Sequence, residues 1–378
     1  MSLSLLYRYA VFTFCVLFTL LSLPVAFSHP WMWMVTLLTG ALSLVGINDL
    51  RQKPQAIRRN YPVIGNIRYL VESIRPEIRQ YLLEGDREAL PFSRAQRSLV
   101  YARAKNENAE KAFGTLIDVY HNGYEFIGHS MLPAQHSDSR TFRVSVGGPD
   151  CTQPYAASVF NISAMSFGAL SANAILALNK GAKLGGFAHD TGEGSISQYH
   201  RQHGGDLIWE IGSGYFGCRH PDGSFNPERF AENACLPQVR MIEIKLSQGA
   251  KPGHGGILPA AKVTAEIAAA RGVPEGEDCI SPASHSAFST PIELMEFIAR
   301  LRELSGGKPV GFKLCIGHPW EFFAICKAML KTGITPDYIV VDGAEGGTAA
   351  APVEFTDHIG TPMHEGLTLV HNTLVGLN

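Results

Sequence analysis

The chain has 378 residues and a formal net charge of -2, with 32 lysines and arginines against 34 aspartates and glutamates. That balance gives no global electrostatic reason for a nucleic-acid partner, and the length suits one large domain with an appendage. Seven cysteines at 15, 151, 218, 235, 279, 315 and 326 form no CxxC pair, which points to reduced thiols and supports neither a disulfide scaffold nor an iron–sulfur site.

The N-terminus is apolar. Ala10 to Phe27 and Trp31 to Ile47 are two uncharged runs joined by Ser28-His29-Pro30. Each approaches the ~20 residues that cross a bilayer. Arg8 precedes the first run, and Arg51, Lys53, Arg58 and Arg59 follow the second. By the positive-inside rule, residues 1–50 are expected to form a hairpin in the cytoplasmic membrane with both ends, and hence the remaining chain, on the cytoplasmic side. The alternatives are a buried helical pair or a cleaved signal peptide, though Pro24-Val25-Ala26-Phe27 is a poor cleavage site. Residues 51–150 read as a helical connecting region. Arg68–Leu83 and Arg94–Lys105 have helical spacing, are interrupted by Pro76 and Pro91, and are rich in arginine; a solvated helix face is preferred there over contact with lipid headgroups.

From 151 to 378 the pattern becomes strand, loop, helix. Strands are expected at Ser158–Ser163, Gly186–His189, Val239–Ile244, Cys279–Ser281, Val310–Leu314 and Tyr338–Val341. Helices are expected at Ser171–Leu184, Ala260–Arg271, Pro291–Leu304, Glu321–Lys331 and Leu367–Leu374, with 198–238 as an excursion containing the apolar piece Leu207–Ile211. Six β/α units predict an α/β fold with a parallel sheet, a TIM (β/α)8-type barrel truncated about two units early. Function in such folds sits in loops at the carboxyl ends of strands. The richest of these is Lys245 to Pro259, KLSQGAKPGHGGILP, which sets Lys251, Gln248 and His254 in a tight glycine-rich turn. Lys313 lies inside an apolar strand and needs an anionic partner, either a bound anionic group or a carboxylate on a neighbouring strand. Gly343, Gly346, Gly347 and Thr348 form a loop whose backbone donors suit a phosphate. His189, Asp190, His285 and His318 show no metal-ligand spacing, so no metal is expected.

MSFGALS (165–171), TGEGS (191–195), IEIKLSQGAKPGHGG (242–256), DCISP (278–282), GFKL (311–314) and DGAEGGTAAAP (342–352) resemble, in order, the β/α loops of the FMN-binding glutamate synthase domain. The resemblance covers roughly residues 55 to 378 and is closest to stand-alone, membrane-anchored members. It implies an FMN in the barrel mouth that passes electrons to a 2-imino acid, giving glutamate from 2-oxoglutarate and ammonia. Met165, Ser166, Gly168 and Ala169 would then lie along the flavin ring. Lys313 would answer the negative charge of the reduced flavin, and Gly343, Gly346, Gly347 and Thr348 would hold its phosphate or ribityl chain. Glu193, Gln248 and Lys251 match positions that contact flavin or 2-oxoglutarate, giving Glu193, Lys251 and Lys313 as catalytic candidates and Gln248, Lys251 and His254 as substrate contacts. Two positions depart from the pattern: His254 stands for the usual acidic residue and Ile257 for the usual glutamine. The family's three-cysteine iron–sulfur cluster is expected beyond residue 378. No glutaminase domain is recognised, so ammonia would arrive free or from a partner, and the electron donor is unspecified. The rival readings are a flavin dehydrogenase on another oxo or hydroxy acid and a non-catalytic membrane-tethered module.

Overall fold

The computed structural model describes residues 3–85, 88, 92–107, 110, 114–135, 142–249, 255–346 and 351–378. They fall into two units, 1–128 and 129–378.

In the first unit, α1 (Leu3–Ser28) and α2 (Met32–Arg51) form an antiparallel hairpin. Thr36 donates to Ser22 at 2.8 Å, and Thr19 and Thr39 share a hydrogen bond of 2.9 Å. These hydroxyl bonds tie the two helices together along their shared seam. The outer faces expose Phe14, Leu17, Leu20, Met34, Leu37 and Leu44. Tyr7–Ser28, with 22 residues, and Met32–Arg51, with 20, are long and apolar enough to cross a membrane. Next come α3 (Ala56–Asn60), α4 (Gly65–Ile78) and α5 (Arg94–Ala104), the last opened by a Ser93–Gln96 capping box. Pro76 does not interrupt α4 as the sequence implied. The helix runs through it and widens into a π-turn at Arg79–Leu83.

The second unit opens with an antiparallel hairpin, β1 (Arg143–Val146) and β2 (Tyr155–Ser158). In chain order the other strands are β3 (His189–Asp190), β4 (Leu207–Ile211), β5 (Val239–Lys245), β6 (Ile257–Leu258), β7 (Cys279–Ile280), β8 (Val310–Leu314) and β9 (Ile339–Val341). The helices are α6 (Ala172–Gly185), α7 (Gln198–Arg201), α8 (Pro227–Ala234), α9 (Ala265–Arg271), α10 (Pro291–Leu304), α11 (Pro319–Thr332), α12 (Val353–His358) and α13 (Met363–Leu377).

β3, β4, β5, β8 and β9 are hydrogen-bonded neighbours in that order, all parallel, and Ile162 bridges His189 to extend the sheet on the β3 side. The sheet curls into a half-barrel, a partial TIM-type barrel. Two expected strands exchange roles. Leu207–Ile211, read as part of an excursion, is a central strand buried at every position. Cys279–Ile280 leaves the sheet and pairs antiparallel with β6, because β5 pairs directly with β8 through Ile242↔Val310 and Ile244↔Phe312. The expected Ser158–Ser163 strand likewise divides, Ser158 closing β2 and Ile162 supplying only a bridge.

One face of the sheet carries Trp209, Ile211, Ile242, Ile244, Val310 and Phe312, packed on Phe230 of α8, Met295 and Ile298 of α10 and Phe322 of α11. On the other face Ile208 and Met241 pack with Tyr155 and Ala157 of the hairpin. That hairpin therefore closes the amino ends of the strands and leaves the carboxyl ends to the loops. α10 begins at a Thr290–Glu293 capping box with Pro291 in the first turn. Thr290→Ala should cost about 1 kcal/mol in a denaturant titration, as loss of such a cap usually does.

Candidate active site

Side chains alternate across a strand, so residues one step out of phase with the helix-facing set share the concave face. β4 places Ile208 and Glu210 there, β5 places Met241, Glu243 and Lys245, and β8 places Gly311 and Lys313. The register sets Glu210 beside Glu243 and Lys245 beside Lys313. Gly311 leaves the space that the Tyr338 ring occupies: a Cβ there would lie 2.6 Å from the ring's Cδ1. Polarity thus rises along the strands, from the apolar floor to a charged middle and a polar rim.

The middle is an ion cluster. The Lys313 ammonium bonds to Glu210 and lies 3.3 Å from Glu243 Oε1, with side-chain exposures of 8%, 1% and 2% respectively. The structure sets the neighbouring-strand carboxylates of Glu210 and Glu243 against Lys313. Asp190 joins them, and one oxygen from each of the three acids lies within 4.8 Å of the others. One amine cannot neutralise three buried carboxylates. Burial first, then the adjoining Asp190 charge, pushes the Glu243 carboxyl well above its ordinary value; burial also raises Asp190, partly offset by Lys313. Glu243 and Asp190 therefore hold their protons to higher pH than free carboxyls do. The triad has the spacing of metal ligands, but Lys313 already supplies positive charge among them. Among the described residues it is the one such group, and His189, His285 and His318 belong to none.

Above the cluster, Glu193 pairs with Lys245 at 3.1 Å. The two line a cleft together with Ser213, Ser247, Gln248, Gly255, Gly256 and Ser281. Its wall is braced by buried His285, whose Nε2–H donates to the Lys245 carbonyl at 2.8 Å while Nδ1 accepts from the Tyr215 hydroxyl at 3.1 Å. Burial lowers the pKa of this imidazole, which suits the neutral form these bonds require. His200 does similar work nearby. Its Nδ1 faces the Ser197 amide and hydroxyl, its Nε2 reaches the Met165 carbonyl at 3.3 Å, and burial lowers its pKa to about 4.

The structure brings two expected residues, Glu193 and Gln248, into this cleft. Met165, Ser166, Gly168 and Ala169 lie in the loop and turn after the Ile162 bridge, where the Met165 amide donates to the Asp190 carbonyl at 3.2 Å. Gly192, at φ 66°, packs so closely there that a Cβ would lie 2.8 Å from the Ser166 amide nitrogen. Gly343 and Gly346 close a turn on the opposite side, with the Gly249 amide donating to Asp342 Oδ2 at 3.0 Å. Lys251, His254, Gly347 and Thr348 lie outside the described residues. Sequence reasoning missed Glu210, Glu243 and Lys245. The signal was present: LIWEI and VRMIEIK each place an acid inside an apolar strand, in the latter two residues before a lysine on the same face.

Residues 146–378 match the family model described as the conserved region in glutamate synthase. The chain belongs to the glutamate synthase family. The glutamate synthase large subunit-like protein YerD of Bacillus subtilis is 37% identical over 368 residues, covering 87% of this chain and 70% of that protein. The archaeal glutamate synthase [NADPH] of Methanocaldococcus jannaschii is 38% identical over 214 residues, 56% of this chain and 39% of the relative. The archaeal-type glutamate synthase [NADPH] of Thermotoga neapolitana is 36% identical over 213 residues, with the same shares of 56% and 39%. This chain is thus a member of a glutamate synthase-type oxidoreductase family that spans well under half the length of the archaeal-type relatives. All of its charged cleft residues fall within the matched region.

Proposed function

We propose that the protein is an FMN-dependent oxidoreductase that forms glutamate from 2-oxoglutarate and ammonia, anchored by α1 and α2 in the cytoplasmic membrane with the half-barrel on the cytoplasmic side. The observation that carries the reading is the convergence of Glu193, Lys245 and Gln248 in one cleft at the carboxyl ends of the strands. The cleft's donor set is an ammonium, a side-chain amide and the Ser213, Ser247 and Ser281 hydroxyls, beside small residues at Gly255 and Gly256. These groups fit the polar edge and hydroxylated chain of a flat flavin. When bound, FMN supplies the electron transfer that no side chain of this chain can perform.

The chain's own residues orient and neutralise. Lys245 holds the Glu193 carboxylate in place, where it can accept or give a proton at the cleft. Gln248 offers one donor and one acceptor to a substrate carboxylate or ring edge. Lys313 acts from beneath the cleft, offsetting the buried acids and setting the field at the strand ends. Lys251 and His254, which follow Gln248 in the sequence, would meet the substrate's second carboxylate. Met165 to Ala169 and Gly343 to Thr348 would flank the cofactor from either side.

A second reading has one observation in its favour. The family's glutamine is replaced by Ile257, whose side chain begins β6 at 58% exposure. An apolar residue there favours a 2-oxo acid with a less polar side chain.

The test starts with full-length protein purified in mild detergent. Yellow flavin is expected to copurify or to be taken up when FMN is offered. Anaerobic dithionite-reduced protein should reoxidise on adding 2-oxoglutarate with ammonium, faster than with other 2-oxo acids and ammonium. Reoxidation only by another oxo acid would transfer the assignment to the second reading. A colourless protein that takes up no FMN would leave a non-catalytic module. NADPH, carried in the names of the archaeal-type relatives, is the first donor to offer.

A further inference from the structure

Helix α4 begins where the α1–α2 hairpin ends. The buried Asp49 carboxylate accepts from the Val63 amide at 3.0 Å and from the Asn66 side-chain amide. A side chain on Gly65 would meet Arg58 Cα and the Ile57 carbonyl at 3.1 Å, so the turn from hairpin to α4 is closely packed. The start of α4 is therefore fixed at the level where apolar sequence gives way to basic sequence. Between Arg51 and Arg79 the chain has seven basic residues, Arg51, Lys53, Arg58, Arg59, Arg68, Arg75 and Arg79, against the two acids Glu72 and Glu77.

At 3.6 residues per turn, Ile67, Leu70, Val71, Ile74 and Ile78 fall on one stripe of α4, and Arg68, Arg75 and Arg79 run along one edge of it. Ser73 lies off the stripe, Glu77 borders it on the side away from the arginines, and Glu72 sits beyond the basic edge, where it pairs with Arg68 at 3.0 Å on the exposed surface. Among the described residues most of it is uncovered: Ile67 is 57% exposed, Leu70 61% and Val71 52%, while at its far end the half-buried Ile78 borders a groove with Leu83 and Glu84. A solvated face, the expectation from charge alone, would leave this aliphatic row in water beside a hairpin whose own outer surface is equally apolar.

We propose that α4 lies in the plane of the membrane surface, its aliphatic stripe among the outer acyl chains and Arg68, Arg75 and Arg79 on anionic lipid headgroups. Continuity with the hairpin and the flanking arginines select a lipid surface as the occupant, since an in-plane helix needs this combination of an apolar stripe and basic edge. The inference rests on the membrane reading of α1 and α2, and the experiment separates the two.

Full-length protein, with Cys235 and Cys151 changed to serine, is reconstituted into vesicles of phosphatidylcholine and phosphatidylglycerol. An environment-sensitive fluorophore is attached in turn at Leu20→Cys on α1, Ile74→Cys on the stripe and Ser73→Cys on the adjoining polar side. Labels at 20 and 74 are expected to shift to the blue and be quenched by brominated lipid, while the label at 73 stays in water. The response at 74 should grow with the phosphatidylglycerol fraction, and that dependence should vanish in R68Q/R75Q/R79Q. Quenching at 20 with a water-exposed label at 74 would overturn the in-plane helix and keep the anchor. No quenching at 20 would remove the anchor and the inference with it.

Discussion

Replacing Lys313 with methionine is expected to lower the free energy of unfolding of the half-barrel by about 3–5 kcal/mol, the usual cost of removing one partner of a buried ion pair. The substitution keeps the length of the side chain and removes its charge. Asp190, Glu210 and Glu243 then face one another with no cation in contact, each almost wholly removed from water. Changing Glu210→Gln as well should recover much of the loss, because it removes the carboxylate that Lys313 bonds most directly. Denaturant titration followed through the near-ultraviolet signal of buried Trp209 measures both variants. If Lys313 served the flavin alone, flavin occupancy would fall while the unfolding midpoint of the flavin-free protein stayed where it was. The pH dependence has a definite sign. A carboxyl whose folded pKa is raised, as at Glu243 and Asp190, binds its proton more tightly when folded. Stability then falls as pH rises from the ordinary carboxylate value through the folded one. Losing Lys313 widens that window, so the variant's deficit should be smallest in mild acid and largest at neutral and alkaline pH. Glu243→Gln, which stays neutral throughout, should flatten the wild-type slope.

How much of this could be read from the sequence depended on whether local signals agreed. The limits Pro291–Leu304 were legible to the residue because a cap, a proline in the first turn and helical periodicity coincide there. Val310–Leu314 was equally legible, an apolar run bounded by Lys308-Pro309 and Gly317. β4 was misplaced because only the four-residue helix α7 separates it from β3, so the expected crossover helix gave no warning of a new strand. β7 was placed in the sheet because two apolar residues after a glycine-rich turn look alike whether they pair in the barrel or in a ribbon. β1 and β2 were missed since four-residue, half-exposed strands carry little period-2 signal.

The site divides in the same manner. Gln248 was marked by its polar, glycine-rich loop and Glu193 by the resemblance of TGEGS to a family loop, and the structure places both at the cleft. Glu210 and Glu243 were passed over because each is a single polar residue in an apolar strand, and its importance appears only when register sets the two side by side. Lys313 was correctly marked as needing an anion. Which anion it takes depends on partners far away in the chain, on β4 and β5, which no local pattern specifies.

Gly249→Ala is the second substitution expected to act strongly, and it acts on geometry. The added Cβ would lie 1.8 Å from the Gly343 carbonyl oxygen and 3.0 Å from that of Gly346. Both obstacles are backbone, so no rotamer change relieves them; the loops after β5 and β9 must separate. Separation would stretch the bond from the Gly249 amide to Asp342 Oδ2 and carry Gln248 away from the cleft it lines. Overpacking of this kind costs about 1–3 kcal/mol. Because Gln248 and Gly343 flank the proposed cofactor site from two sides, FMN affinity should fall by about tenfold or more, tenfold being equivalent to about 1.4 kcal/mol. Flavin titration by fluorescence quenching measures the affinity, and denaturant titration of flavin-free protein measures the stability. Gly181→Ala supplies the control: it lies within α6, a Cβ there meets nothing within 4 Å, and replacing glycine in a helix should stabilise by about 0.5–1 kcal/mol with no effect on flavin. Equal flavin affinity in the two variants would show that the junction of the β5 and β9 loops does not shape the cofactor site, and would move the search to the Met165–Ala169 side.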